Sequence, residues 1–134
     1  MSSRRILVVE DDAAIREMLS EILTGEGYLI DQAANGRDAL LKLKRVRPDV
    51  VLLDLMMPVM DGPTFARACG LLDHGAGIPI VIMSASPGLA RMADQLRAYG
   101  VHGELCKPFD VDDLLRTIQR VLERRPTARS YPTG

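Results

Sequence analysis

Two rhythms of apolar residues alternate along this chain. Short runs with almost no polar interruption stand at "RILVV" (5–9), "YLIDQAA" (28–34), "DVVLL" (49–53), "IPIVIMSA" (78–85) and "HGELC" (102–106). Between them, apolar residues recur every three or four positions, the spacing of one helical face. Ile15, Met18, Leu19, Ile22 and Leu23 form the first such face, ended by Gly25 and Gly27. Asn35-Gly36 opens a helix carrying Leu40, Leu43 and Val46, stopped before Pro48. A short helix centres on Phe65, Cys69 and Leu72, and another carries Leu89, Met92 and Leu96. The last carries Val111, Leu114, Leu115, Ile118 and Leu122, with Asp110 as its N-cap. Strands apolar on both faces, separated by helices, predict a parallel sheet covered on both sides. Right-handed crossovers make this a doubly wound α/β fold with five strands. A closed barrel would need about eight such units.

Length and composition narrow the picture. With 134 residues, 47% hydrophobic and 26% charged, the chain supports one domain and one sizeable core, read over residues 1–124. Residues 125–134, rich in proline and small polar residues, read as a flexible tail or the start of a linker. A net charge of −1 gives no basic face for nucleic acid. Cys69 and Cys106 lack metal or CxxC spacing and read as reduced thiols, which with the missing signal peptide and membrane span predicts a cytoplasmic protein.

The chemistry lies where the apolar runs stop. In an open parallel sheet, function collects at the carboxyl ends of the strands, near the point where strand order reverses. The first strand ends in Glu10, Asp11 and Asp12, the third in Asp54, the fourth in Ser84 and the fifth in Lys107; the second offers nothing comparable. Like charges about 4 Å apart repel by roughly 4 kcal/mol at an effective dielectric near 20, so these acids call for a cation. Oxygen ligands without His or Cys suit a hard ion, and a few carboxylates with room for water suit Mg²⁺. Lys107 and Ser84 are then placed to meet a phosphoryl group, one by charge and one by a hydrogen bond. Together these groups describe phosphoryl-transfer equipment.

Each residue alone has an ordinary explanation. Acids favour helix N-termini, which is the whole role read for Asp12. A lone Asp at a strand end is commonly a turn residue, a Ser a loop hydroxyl and a Lys a solvated end. Four such residues converging on one rim argue against coincidence. The side chains of Met56, Met57 and Met60 read as loop packing, and His74 and His102 receive no role.

The stretches "ILVVEDD", "VVLLDLMMPVMDG", "IVIMSA" and "CKPF" occur in an order and spacing that resemble the response-regulator receiver domains of two-component signalling, over residues 4 to about 124. The resemblance implies a flavodoxin-like strand order 2-1-3-4-5. It implies that Asp54 accepts a phosphoryl group from a histidine kinase or phosphotransfer protein. Glu10 and Asp11 become the acidic pair of a Mg²⁺ site, with Asp54 and the backbone carbonyl of Met56 as further ligands. Ser84 becomes the switch hydroxyl, Lys107 the phosphoryl partner, and Lys107-Pro108 a cis peptide. Partner binding or homodimerisation is expected through the fourth helix, fifth strand and fifth helix, where Arg91, Asp94, Arg97, Asp113, Arg116 and Arg120 lie. The expected role is a signalling switch rather than a turnover enzyme, with no binding to nucleic acid or membrane by this domain.

The chain departs from that family at three places. Glu104 stands three positions before the lysine, where receivers usually carry an aromatic residue. The hydroxyl is Ser84 rather than threonine, and the stretch from Ser84 to Lys107 is about one residue longer than expected. Output is therefore expected through the loop after Ser84 and the fourth helix. Two rivals are a receiver-like module that is never phosphorylated and an aspartyl-phosphate phosphohydrolase of the haloacid-dehalogenase type. The second wants an aspartate where this chain has Met56. A flavin-binding variant would need a glycine- and hydroxyl-rich loop where "EDD" stands.

Overall fold

A computed structural model describes residues 3–55, 62–71 and 77–124. Five strands, β1 (Arg5–Val9), β2 (Leu29–Ala33), β3 (Val50–Asp54), β4 (Ile80–Ser84) and β5 (Val101–Cys106), alternate with five helices. These are α1 (Ala13–Gly25), α2 (Gly36–Leu43), α3 (Gly62–Leu71), α4 (Leu89–Leu96) and α5 (Val111–Arg124), with a 3₁₀ turn at Arg97–Tyr99 after α4. All strand pairs are parallel and the order is β2-β1-β3-β4-β5, as the sequence led us to expect.

The two-sided strands explain why the apolar runs lack alternation. Leu7, Val9, Val51, Leu53, Ile80 and Ile82 face one core, packed with Ala39 and Leu43 of α2, Phe65 and Cys69 of α3, and Leu89, Ala93 and Leu96 of α4. Their neighbours Ile6, Val8, Val50, Leu52, Val81 and Met83 face the opposite core against Leu19 and Leu23 of α1 and Leu114, Ile118 and Val121 of α5. The edge strand β2 is only partly covered, which is where Asp31 and Gln32 are tolerated. Among the described residues, no helix is long and apolar enough to cross a membrane.

Local chemistry sets the helix boundaries. Asp12 caps α1 by accepting from the Ile15 amide at 3.0 Å, Asn35 caps α2 through the Asp38 amide at 2.8 Å, and Asp110 accepts from the Asp113 amide at 2.7 Å. The helix expected to run past Val46 ends sooner, at Leu43, because the Lys44 and Arg45 amides turn onto the carbonyls three positions back, those of Leu41 and Lys42. Met18 and Val111 sit at the apolar spacing but are 51% and 46% exposed, so neither belongs to the core. Leu72 lies outside the described residues.

The edge strand β5 is irregular near its start. Ile80 pairs with Val101 but Val81 pairs with Gly103, so His102 is a bulge on the edge strand. Gly103 then faces α5, where a Cβ would lie 3.1 Å from Val121 and 3.2 Å from Val81, so a larger residue would push these neighbours back by a few tenths of an ångström.

Candidate functional site

The chain runs from β1 outward to β2 and returns to β3 on the other side of β1, so the strand order reverses between β1 and β3. Both strands deliver carboxylates to that crevice. Val9 is paired with Leu53, so the residues that follow, Glu10 and Asp54, leave the sheet side by side. One carboxylate oxygen each from Glu10, Asp11 and Asp54 falls within 4.8 Å of the others. Glu10 and Asp54 are 1% and 5% exposed, whereas Asp11 is exposed. The β5 end contributes Lys107, whose Nζ lies 3.5 Å from Glu10 Oε1 and 3.7 Å from Asp54 Oδ1. The Lys107-Pro108 peptide is cis.

One ammonium does not balance three acids. Burial pushes the Glu10 carboxyl up from its usual 4.5 to about 7. The Asp54 charge and a hydrogen bond with Asp54 push the same way, and the Asp12 amide and Lys107 pull it back only in part. A hard divalent cation fits this donor set: all oxygen, partly buried, with one ligand open to water.

Ser84 ends β4, 2% exposed, and its carbonyl accepts from the Lys107 amide at 2.8 Å. Its hydroxyl accepts from the Ser86 amide at 2.9 Å, within its own loop. The Ser86 hydroxyl in turn accepts from the Gly88 amide at 3.3 Å, and the Leu89 amide closes a turn onto the Ser86 carbonyl at 3.2 Å. The structure thus groups Glu10, Asp11, Asp54 and Lys107, while the Ser84 hydroxyl is bonded toward α4. Met56, proposed as a carbonyl ligand, lies outside the described residues, as does His74. Asp12 serves as the α1 cap. Glu104 is exposed on the edge strand and shares a cavity of about 240 Å³ with Arg97, His102 and Arg120. Sequence reading missed Arg16, which bonds the Glu10 carbonyl, and Gln32, which bonds Arg16; neither carries a motif.

Residues 6–119 match the family described as the response regulator receiver domain. The chain is 36% identical over 122 residues to sporulation initiation phosphotransferase F of Bacillus subtilis, covering 91% of this chain and 96% of that protein. It is 39% identical over 120 residues to response regulator MprA of Mycolicibacterium vanbaalenii, covering 90% of this chain but 51% of the relative, so it spans about half the length of several curated relatives it matches. Among solved structures, it resembles the receiver domain of a sensor histidine kinase from Pseudomonas aeruginosa, determined with a magnesium ion coordinated in the active-site cleft. That likeness has a TM-score of 0.80 at 29% identity and covers 91% of this chain and 99% of that one. The chain belongs to the response regulator receiver domain family. It is a phosphoacceptor module of the two-component type, the class to which its fold and acidic crevice already pointed.

Proposed function

We propose that Asp54 is the phosphoacceptor and that Mg²⁺ is held by Glu10, Asp11, Asp54 and the Met56 carbonyl. The observation that carries this reading is the gathering of three carboxylates within 4.8 Å, with Lys107 3.7 Å from Asp54. When bound, Mg²⁺ supplies the positive charge that lets these acids and an incoming phosphoryl group share one crevice. Asp54 attacks phosphorus in line while the N–P bond of a phosphohistidine breaks, leaving an acyl phosphate and a free imidazole. Lys107 balances the charge on the transferred oxygens. The Ser84 hydroxyl then turns to donate to a phosphoryl oxygen and leaves the Ser86 amide from which it accepts, which alters the start of α4. The domain is a switch that assists its own modification, acting over residues 1–124 in the cytoplasm, with 125–134 as tail or linker. Dimerisation through α4, β5 and α5 is one output this reading allows.

Acetyl phosphate with Mg²⁺ is the direct test. One phosphoryl group is expected on the wild-type chain, mapped by mass spectrometry after borohydride reduction to residue 54. No uptake, or uptake at another residue, would refute the assignment. The first result would favour the rival, a receiver-like module that is never phosphorylated.

The phosphodonor is a histidine kinase or phosphotransfer protein. An apolar groove of about 380 Å³ adjoins Lys107, lined by Ile15, Met18, Leu19, Pro108 and Phe109 among others. It suits an apolar side chain carried beside the donor histidine. Met18→Asp is expected to slow transfer from a phosphorylated protein donor about tenfold, a typical cost for an interface anchor. Labelling by acetyl phosphate, which needs no docking, should keep its wild-type rate. Equal slowing of both reactions would place Met18 outside any donor interface.

A further inference from the structure

A half-buried guanidinium that the proposed chemistry does not use sits behind the acids. Arg16, in the first turns of α1, folds back toward the sheet instead of extending into water. Its Nη1 donates to the Glu10 carbonyl at 2.8 Å and its Nε to Gln32 Oε1 at 3.3 Å. The Gln32 carbonyl accepts from Lys42 Nζ, and Lys42 lies 4.0 Å from Asp38, whose carboxylate accepts from the Ala34 amide at 3.2 Å. A run of polar contacts therefore leads from α2 across the edge strand β2 to the peptide that joins Glu10 to Asp11.

Both main-chain groups of residue 10 are fixed by it. The Glu10 amide donates to the Ala33 carbonyl at 3.1 Å, and the Glu10 carbonyl takes the Arg16 guanidinium. Asp11, the exposed member of the cluster, begins from that peptide plane, so its approach to Glu10 and Asp54 depends on how firmly the plane is held. Arginine suits the task, because its planar fork reaches two acceptors at once. Holding a long side chain in one rotamer costs entropy, and the two contacts offset that cost.

We infer that Arg16, oriented by Gln32, is a positioning residue that sets the affinity of the Glu10–Asp11–Asp54 cluster for Mg²⁺. The inference rests on the proposed reading of those acids as the metal site. Groups behind the ligands of a metal site commonly change its affinity by about 10–100-fold.

The test is a MgCl₂ titration of the full chain, followed by the ¹⁵N–¹H shifts of the Glu10–Asp12 amides. Arg16→Ala is expected to raise the Mg²⁺ Kd about tenfold. Gln32→Ala should raise it less, and the double variant should be no worse than Arg16→Ala alone, because the two residues act as a unit. Arg16→Lys should recover part of the loss, since an ammonium can reach the carbonyl but not both acceptors. A merely structural tie between α1 and β2 would lower the urea midpoint and leave the Kd unmoved, which would overturn the inference. Should Arg16→Ala fail to fold, Gln32→Ala and Arg16→Lys carry the test, and wild-type Kd values in both would overturn it. If wild type itself does not bind Mg²⁺, the metal reading falls first and takes this inference with it.

Discussion

Replacing Asp54 with asparagine is expected to abolish phosphoryl uptake and, in metal-free buffer at about pH 8.5, where Glu10 is ionised as well, to make the fold more stable by about 1–2 kcal/mol. The two effects have one cause. The carboxylate proposed as nucleophile is 5% exposed, faces the buried Glu10 and shares the Lys107 ammonium with it. An amide of the same shape cannot form the acyl phosphate, and it carries no charge to repel Glu10. The Coulomb term for a like-charged pair about 4 Å apart is roughly 4 kcal/mol at an effective dielectric near 20, and the lost attraction to Lys107 cancels much of it. Acetyl-phosphate labelling read by mass spectrometry and urea unfolding in EDTA give the two readouts. A variant that still takes up phosphate on another residue would reassign the acceptor. One that is less stable than wild type would show that this carboxylate is well satisfied where it sits.

Stability of the metal-free protein is expected to fall as pH rises from about 5 to 7.5, and Mg²⁺ is expected to remove most of that fall. Glu10 holds its proton to about 7 in the folded chain, against a usual 4.5. Between those values the folded state keeps a proton that the unfolded state has lost, so raising the pH favours unfolding. The extra stability is complete below 4.5 and gone above about 7. At about 1.4 kcal/mol per pH unit, the window amounts to at most about 3 kcal/mol. A ligating cation favours the ionised acid and opposes this slope. Urea midpoints at pH 5 and 7.5, with EDTA and with excess MgCl₂, measure both. A flat profile in EDTA would mean that Lys107 and the Asp12 amide satisfy the Glu10 charge in full.

How much of this could be read from the residues follows from the range of the interactions involved. The five strands and their parallel pairing were legible because runs such as Val50–Leu53 fill both faces of the sheet with their own side chains. Glu10, Asp11, Asp54 and Lys107 were legible because a strand end fixes its rim position within a residue or two. The end of α2 was not, since the turns of Lys44 onto Leu41 and of Arg45 onto Lys42 compete closely with another helical turn. The bulge at His102 was not either, because it depends on how β5 meets β4. Arg16 and Gln32 stayed hidden for a different reason. Their contact joins two elements 16 positions apart, and neither residue type announces a partner. The exposure of Glu104 follows from its charge, as an acid at the usual aromatic position would not enter an apolar slot.

If Ser84 is the switch hydroxyl proposed above, its contact with Ser86 would give the domain a threshold. While the hydroxyl accepts from the Ser86 amide, the turn that leads into α4 is latched shut. Opening it would cost the Ser86 amide its acceptor, one hydrogen bond worth about 1 kcal/mol, which would bias the resting state roughly fivefold. A bias of that size would suppress spontaneous signalling without locking it out, and a doubly charged group on Asp54, accepting from the hydroxyl, would overcome it readily.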